Sequence, residues 1–553
     1  MKSRKNVLPL SKHIVTFIFV ILFGGINVCI AQEEGGAIDM IVENDVGIET
    51  RAGYEVFANV YRPNKEGEFP VIMSMGPYGK DDLPAEYSGV FGDGQVFVSE
   101  HAAFETFDPE YWVQNDYVVV AVDSPGSHQS GGNLDVFGPI EANAYYDAVE
   151  WAGSQPWSNG NVGLGGCSYF AMSQWYVAAL SPPHLKAIMP QEGLTDFYRD
   201  VMRHGGIPGV FINPWMEYRV MRVKRPDAVL ASDMRVGFEE HLLYDDYWES
   251  VNPALENITV PAYVMTSWAD HGLHTRGTLI GFEEISSENK WLEIHGRKKW
   301  EYLYSRESLE RQRKFFDYFL KNADNGFETT PRVRYERRNA FYDGHDFFAD
   351  DWPLKKVDLQ RYHLLSDSTL DTKASDAASS ARYTANDEND QIAFRYVFKE
   401  PTEITGGAKL KLWVEAEGSD DMDIFVGLSK LDQAGNEVLM AGYNDVEDGH
   451  LASGWLRASH RETDPEKSTE IRPFLKHERL QKLSSGEIVP VEIEILPSST
   501  YFGAGESLVL RIAGTELKGA GDAEHEDLLN QGHHVVHLGG EYDSHLLVPI
   551  VQQ

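Results

Sequence analysis

The stretch NVGLGGCSYFAMSQWYVAAL (residues 161–180) places two glycines, a cysteine, a serine and a tyrosine between an apolar run and a helix-like run. A buried strand that turns sharply into a helix has this pattern, and small neighbours let one side chain stand clear of the turn. Gly166 and Ser168 match the first half of G-x-S-x-G, whereas Phe170 stands where the last glycine is expected. The stretch therefore predicts a turn that presents Ser168 as a nucleophile; a glycine-rich strand end with a helix-capping serine is the alternative.

Cys167 is the other nucleophile-capable residue of this turn. It stands one residue before Ser168, so we expect its side chain to point into the core, as most free cysteines do. A reactive thiolate needs an electropositive neighbour, and the sequence next to Cys167 has none.

Strand-like and helix-like runs alternate on both sides of residues 161–180. Continuous apolar runs that end in loops are typical of parallel strands buried on both faces. Such runs occur at residues 69–79, 116–126, 260–270 and 290–296, and helical spacing occurs at residues 143–155 and 307–322. The alternation predicts a mainly parallel α/β sheet.

Two further regions differ from this pattern. Residues from about 192 to 259 are rich in Arg, Met, Trp and Tyr at helical spacing, which predicts a helical insertion able to cap a pocket. After about residue 350, short alternating strands separated by turn residues predict an antiparallel sandwich or jelly roll. The predicted domains are residues 32–350, including the insertion, and residues 351–553.

The N-terminus has the pattern of a signal peptide. Four basic residues precede an apolar stretch, and small residues precede Gln32, where a signal peptidase would cut; a single membrane anchor is the alternative. Removing residues 1–31 would take the formal net charge from −37 to −41, because this segment has four basic and no acidic residues. We therefore expect an exported protein, periplasmic or secreted, that is not inserted in a membrane and has neither nucleic acid nor an anionic membrane as a partner.

A serine nucleophile needs a base and an acid that orients the base. Asp270 ends one predicted strand in TSWADHG, and His295 ends the next in WLEIHG. Their order after Ser168 is that of a Ser-acid-His triad on an α/β sheet, and loops at the carboxyl ends of parallel strands share one edge. We predict Asp270 as the orienting acid and His295 as the base; His271 and His274 are rivals on the acid's own loop.

Two donors are predicted for the oxyanion. Tyr78 closes an early strand in MGPYGK, so its hydroxyl can point into the same crevice. The backbone N–H of Tyr169, directly after Ser168, can act beside it. The alternative for Tyr78 is a loop tyrosine packed on Pro77.

Neither the acidic run at residues 419–425 nor the three histidines at 531–537 has the spacing of a metal site, so no metal or cofactor is expected.

Several segments together resemble the cocaine esterase / X-Pro dipeptidyl-peptidase family of serine hydrolases. They are YRPNKEGEFPVIMSMGPYGK, EWAGSQPWSNGNVGLGGCSYFAMSQW, SWADHGLHTRG, GWLRASHR and GGEYDSHLLVPI. The resemblance implies an α/β-hydrolase fold with a helical cap and a C-terminal jelly roll. It also implies Ser168 as nucleophile, Asp270 as acid, Tyr78 as oxyanion donor and His295 as base, although many relatives have Gly-Pro-Trp-x-His where this chain has LEIHGRKKW.

These observations predict hydrolysis of an ester or amide acyl bond of a small molecule or peptide through an acyl-enzyme intermediate. An X-Pro dipeptidyl-peptidase is the alternative, which would need cap carboxylates such as Asp196, Asp200 and Glu217 to bind a free α-amine. An alternative of another class is a non-catalytic protein whose jelly roll binds carbohydrate.

Overall fold

The apolar runs of the first half of the chain form the strands of one twisted sheet. The computed structural model describes residues 39–81, 98–442, 448–517 and 524–552, so the predicted signal peptide lies outside the described residues. The elements from residue 40 to residue 191 are β1 (Met40–Glu49), β2 (Glu55–Pro63), β3 (Phe69–Gly76), α1 (Pro109–Gln114), β4 (Val118–Asp123), β5 (Leu134–Asp135), α2 (Pro139–Gly153), β6 (Ser158–Cys167), α3 (Tyr169–Ala179) and β7 (Leu185–Gln191).

The segment that follows β7 is the predicted insertion, and it is built from short elements. These are β8 (Arg203–His204), β9 (Ile207–Pro208), α4 (Ile212–Trp215), β10 (Leu230–Ser232), α5 (Met234–Glu240) and α6 (Asp246–Val251). The same segment has two π-helical turns, Tyr198–Met202 directly before β8 and Met216–Val220 directly after α4. A cluster of buried aromatic and methionine side chains holds these turns together and packs them against Tyr169 and Met172 of α3.

The chain then returns to the sheet. The elements are β11 (Ala262–Ser267), α7 (Thr275–Glu284), β12 (Lys290–His295), α8 (Lys299–Leu303), α9 (Arg306–Lys321), β13 (Val333–Ala340) and β14 (Asp343–Ala349). The strand order across the sheet is β1-β2-β4-β3-β6-β7-β11-β12-β13-β14. Strands from β3 to β13 that neighbour one another in this order are parallel, so the loops after β3, β6, β7, β11 and β12 meet at one edge.

The last two hundred residues form an antiparallel β-sandwich, as the alternation predicts. Its strands are β15 (Val357–Leu364), β16 (Leu370–Asp371), β17 (Ser379–Thr384), β18 (Gln391–Val397), β19 (Thr402–Glu417), β20 (Asp423–Leu431), β21 (Glu437–Val438), β22 (Ala452–Arg457), β23 (Val489–Phe502), β24 (Ser507–Ala513), β25 (His533–Leu538) and β26 (His545–Val551). One layer pairs β18, β24, β20 and β22, and the other has β19 between β23 and the pair β25 and β26.

The inward-facing residues of both sandwich layers form one apolar core. Leu410 and Leu412 of β19 face Ile424 of β20 and Leu510 of β24, and all four are fully buried. The sandwich is joined to the first sheet where Arg338 of β13 pairs with Thr500 of β23. Among the described residues, none of the helices has the length and apolar content needed to cross a bilayer.

Candidate active site

The turn between β6 and α3 has the strained geometry that a nucleophile needs. Ser168 is the single residue between the two elements and has φ 56° and ψ −115°. A residue other than glycine at positive φ costs about 1–3 kcal/mol, so the surroundings must hold it there. The N–H of Ser168 donates to the carbonyl of Gln191 at 3.0 Å, and its own carbonyl accepts the N–H of Ala171 and Met172 at 2.9 and 3.0 Å.

Both glycines before the turn are required by space. A Cβ on Gly165 would lie 2.2 Å from the Phe107 ring, and a Cβ on Gly166 would lie 2.5 Å from Phe170 Cβ. Gly166 also has φ 127°, a conformation that side chains disfavour. Phe170 stands where the G-x-S-x-G pattern has its last glycine, and it packs against Gly166. A residue larger than glycine at position 166 would therefore clash with Phe170.

Cys167 points away from the site, as predicted. It is buried among Phe104, Trp300 and Tyr304, and its N–H donates to the carbonyl of Glu105 at 2.9 Å. Burial and the Glu105 carboxyl raise the pKa of its thiol well above the usual value, so the thiolate is disfavoured.

His274 connects Ser168 to Asp270. Its Nε2 lies 3.2 Å from the Ser168 hydroxyl, and its Nδ1 lies 2.5 Å from Asp270 Oδ2. Because Nδ1 faces a carboxylate, it carries the ring proton of the neutral imidazole, which leaves Nε2 free to accept the serine proton. The side chains of His274 and Asp270 are 1% and 3% exposed, so this chain of hydrogen bonds is shielded from water.

A single helical turn after β11 brings the acid and the histidine together. The N–H groups of His274 and Thr275 both donate to the Asp270 carbonyl at 3.0 Å. Residues four apart on a helical turn lie on the same face, so the imidazole lies against the carboxylate. The Thr275 hydroxyl donates to the Ser267 carbonyl at 2.8 Å and fixes the turn to the end of β11.

The prediction that His295 lies between Ser168 and Asp270 is wrong. His295 is the last residue of β12 and stays in the sheet, in register with Ser267 of β11. Its ring stacks on Tyr302 with centroids 3.7 Å apart, and its Nε2 lies 3.3 Å from Glu192 Oε1. The sequence signal for the histidine that does lie between Ser168 and Asp270 was the four-residue spacing of Asp270 and His274 on one loop.

Electrostatics keep the acid ionised and the base neutral. Burial would raise the pKa of Asp270, but His274, Lys299 and a hydrogen bond from Glu192 lower it below the usual value. The pKa of His274 is also lowered, because burial disfavours the imidazolium; Asp270 opposes this effect and Lys299 adds to it. An ionised Asp270 beside a neutral His274 is the protonation state that a general base requires.

Tyr78 lies against the nucleophile turn. Its ring centroid is 5.5 Å from that of Tyr169 and 5.8 Å from that of Phe170. Trp215 of α4 donates its indole N–H to the Tyr78 hydroxyl oxygen at 2.8 Å, so the hydroxyl keeps its own proton for another acceptor. Burial raises the pKa of Tyr78 far above its usual value, so this proton stays on the phenol. Sequence reasoning did not single out Trp215.

The backbone N–H of Tyr169 is the group predicted as the second oxyanion donor. As the first residue of α3 it has one of the amides that lack a partner within the helix. Its side chain is occupied elsewhere, since the hydroxyl donates to both carboxyl oxygens of the buried Glu141 at 2.9 Å.

The three cap carboxylates singled out in the sequence all lie beside arginines. Asp200 is fully engaged, because its second oxygen also accepts the N–H groups of Thr195 and Asp196. The ion pairs are Asp196–Arg199 at 2.7 Å, Asp200–Arg276 at 2.7 Å and Glu217–Arg235 at 3.3 Å. Asp196 and Asp200 are therefore occupied by arginines and backbone amides, whereas the Glu217 side chain is 62% exposed.

Two groups of side chains in the described ranges bring potential metal ligands together. Glu192, Asp270 and His274 form a buried group, and Glu100, His101 and Glu110 form a more exposed one; within each, the donor atoms lie within 4.8 Å of one another. In the first group the Nδ1 of His274 is already hydrogen-bonded to Asp270, so this nitrogen is not open to a metal ion.

Comparison with known proteins identifies the family. The family described as X-Pro dipeptidyl-peptidase (S15 family) matches residues 52–298, and the X-Pro dipeptidyl-peptidase C-terminal non-catalytic domain matches residues 325–547. The crystal structure of a CocE/NonD family hydrolase from Staphylococcus aureus is 44% identical, with a TM-score of 0.89, and covers 93% of this chain and 94% of that one.

Curated relatives include both esterases and peptidases. Cocaine esterase of Rhodococcus sp. (strain MB1 Bresler) is 21% identical over 93% of this chain and 99% of the relative. A putative Xaa-Pro dipeptidyl-peptidase of Bacillus anthracis is 24% identical over 52% of this chain and 53% of the relative. With its α/β-hydrolase sheet followed by a β-rich C-terminal domain, the chain belongs to the cocaine esterase / X-Pro dipeptidyl-peptidase (CocE/NonD) family of serine hydrolases.

Proposed function

We propose that this serine hydrolase cleaves esters or small amides by acyl transfer through Ser168, His274 and Asp270. The observation that carries the proposal is the position of His274, with one ring nitrogen on the Ser168 hydroxyl and the other on Asp270. A serine hydroxyl is a weak nucleophile until a neighbouring base takes its proton.

The reaction has two steps. Ser168 Oγ attacks the substrate carbonyl carbon while its proton passes to His274 Nε2, and Asp270 stabilises the resulting imidazolium. The Tyr78 hydroxyl and the Tyr169 N–H donate to the oxyanion. His274 then gives its proton to the leaving group as the acyl–leaving-group bond breaks. In the second step water gives a proton to His274 as it attacks the acyl carbon, and His274 passes this proton to Ser168 Oγ as the acyl–Oγ bond breaks and the acid is released.

The paired cap carboxylates favour an ester or small amide over an X-Pro peptide. A dipeptidyl-peptidase must bind the free α-amine of its substrate, and a carboxylate that serves it needs open lone pairs. Asp196 and Asp200 instead accept hydrogen bonds from arginine and from backbone amides. An amine that replaced these donors would leave a buried arginine unpaired, which is costly.

The triad is tested with alanine variants of two histidines on the same loop. We expect His274→Ala to lower kcat for a nitrophenyl ester by about 10⁴–10⁶-fold, since it removes the base. His271→Ala is the matched control: His271 is half-buried and its Nε2 contacts the Pro497 carbonyl at 3.0 Å, so we expect kcat close to that of the wild type.

A fluorophosphonate probe reports on the nucleophile independently of the substrate. We expect labelling of the wild type and none of Ser168→Ala. An unlabelled wild type would favour a non-catalytic binding protein, and a His295→Ala variant that is as inactive as His274→Ala would contradict the assignment of the base.

The oxyanion role of Tyr78 is tested by removing its hydroxyl. We expect Tyr78→Phe to lower kcat by about 10²–10³-fold with a smaller change in KM, because the lost hydrogen bond forms in the transition state. Trp215→Phe keeps an aromatic ring but removes the N–H that orients the hydroxyl, so we expect a loss of about 2- to 10-fold. Equal losses in kcat for both variants would point to a packing effect instead.

Substrate class is tested by comparing two sets of chromogenic substrates. We expect hydrolysis of nitrophenyl esters and little activity on Gly-Pro and Ala-Pro anilides, because Asp196 and Asp200 of the cap already accept hydrogen bonds from arginines and backbone amides. Activity confined to the anilides would overturn the ester assignment while leaving the triad intact.

Export is proposed from the N-terminal sequence alone. We expect the mature protein, recovered from the periplasm or medium of its host, to begin at Gln32 when its N-terminal peptide is identified by mass spectrometry. Recovery of a mature chain that retains residues 1–31 in the membrane fraction would favour the anchor instead.

A further inference from the structure

A second carboxyl group lies directly behind the triad acid. Glu192 follows β7, next to the Gln191 carbonyl that holds Ser168, and it is 2% exposed. Its backbone has φ 48°, which is unfavourable for a residue other than glycine, and its N–H donates to the Met265 carbonyl at 2.8 Å. The fold therefore fixes this side chain at the site despite backbone strain.

Glu192 and Asp270 are too close and too buried to be ionised together. A carboxyl oxygen of each lies within 4.8 Å of the other and of a His274 ring nitrogen. When two carboxylates share a dry site, one keeps its proton. Asp270 is held in the ionised form by His274, so the proton resides on Glu192. Burial and the Asp270 charge raise the pKa of Glu192 well above the usual value, and they outweigh the opposing charge of Lys299.

Asp270 has an oxygen that needs a donor. His274 occupies Oδ2, whereas Oδ1 is buried and, with Glu192 ionised, has no hydrogen-bond partner among the described residues. A buried carboxylate oxygen without a hydrogen-bond donor costs folding free energy. A neutral carboxyl group beside it can supply the missing O–H donor.

Donors hold Glu192 from its other side. The Ser267 hydroxyl lies 3.2 Å from Oε2, and His295 Nε2 lies 3.3 Å from Oε1. Nδ1 of His295 accepts the N–H of Arg297 at 3.3 Å, so the ring proton is on Nε2, the nitrogen that lies 3.3 Å from Glu192. Burial lowers the pKa of His295 to about 3, which keeps the ring neutral. With these donors in place, the proton of Glu192 is left for Asp270.

We infer that Glu192 is a positioning residue that, in its protonated form, donates a hydrogen bond to Asp270 Oδ1 and is itself oriented by His295 and Ser267. The inference rests on the proposed triad. It extends the series of side chains in contact to five, in the order Ser168, His274, Asp270, Glu192 and His295. No covalent step passes through Glu192; it acts by keeping Asp270 ionised and oriented toward His274.

The test compares Glu192→Gln with Glu192→Leu through the pH dependence of kcat/KM. Glutamine offers an N–H to Asp270 and a carbonyl to Ser267, so we expect near-wild-type rates and an unchanged acid limb. Leucine fills the space without a donor. Asp270 then binds a proton more readily, so we expect the acid limb to move to higher pH and kcat to fall about 10- to 100-fold.

Glu141→Gln is the matched control, because Glu141 is another buried carboxyl, with a pKa raised by burial to about 7, that contacts Tyr169 and not Asp270. We expect this variant to leave the acid limb in place. A glutamine variant that shifts the limb as far as leucine, or a leucine variant that does not shift it, would overturn the inference. Fluorophosphonate labelling of Ser168 in the same proteins separates either result from a failure of the triad itself.

Infrared difference spectra on protein in H₂O and D₂O provide a second measurement if the leucine variant does not fold. We expect the wild type to show the C=O stretch of a neutral buried carboxyl that is absent from Glu192→Gln and present in Glu141→Gln at the same pH. A band unaffected by Glu192→Gln would show that Glu192 is ionised. Stoichiometric metal in the purified wild type, with activity lost on chelation, would show instead that this group of ligands holds a cation.

Discussion

The site depends on keeping the Asp270 carboxylate ionised in a place that water does not reach. Transfer of a carboxylate into a dry interior costs several kcal/mol unless donors replace its hydration. The His274 N–H supplies one donor, and Lys299 supplies a favourable charge. Without this compensation Asp270 would take a proton, so it could not stabilise an imidazolium in the proposed reaction, and His274 would lose its orientation.

The same requirement explains why the edge of the sheet is so crowded with polar groups. The parallel strands β6, β7, β11 and β12 end side by side, and each end brings a different group: the nucleophile, Glu192, the acid and His295. The strand ends are also tied to one another, since the Ser168 N–H bonds to Gln191 and the Trp268 N–H bonds to the His295 carbonyl. The strain at Ser168 and Glu192 is therefore stored in positions that backbone hydrogen bonds from neighbouring strands hold fixed.

Much of this arrangement could be predicted from local sequence. The glycines before Ser168 predict the turn. The apolar run that ends in Asp270 predicts that this residue lies at the same edge of the sheet as Ser168. The rule that loops after parallel strands share one edge of the sheet does not distinguish among the histidines near that edge. His295 satisfies this rule as well as His274 does. What decides is side-chain direction: the last residue of β12 remains in register with Ser267, while a helical turn carries His274 back onto Asp270. The contact of Trp215 with Tyr78 could not be predicted, because it joins residues 137 positions apart through irregular turns of the insertion.

His295 illustrates how a residue can be placed correctly and assigned wrongly. Its imidazole lies between Tyr302, on which it stacks, and Glu192, so neither ring nitrogen has a route to the serine. Tyr302 in turn donates to Glu293, whose pKa is lowered to about 2: burial would raise it, but the charges of Arg311 and Arg334 prevail. Glu293 pairs with these two arginines, and a stacked aromatic ring and neutral hydrogen-bonding groups lie between this ion-pair network and the proposed triad, where Lys299 is the cation that acts on Asp270. Such a layer orients Asp270 through hydrogen bonds and adds no charge of its own. Asp270 needs both conditions, because it must stay ionised while His274 stays neutral.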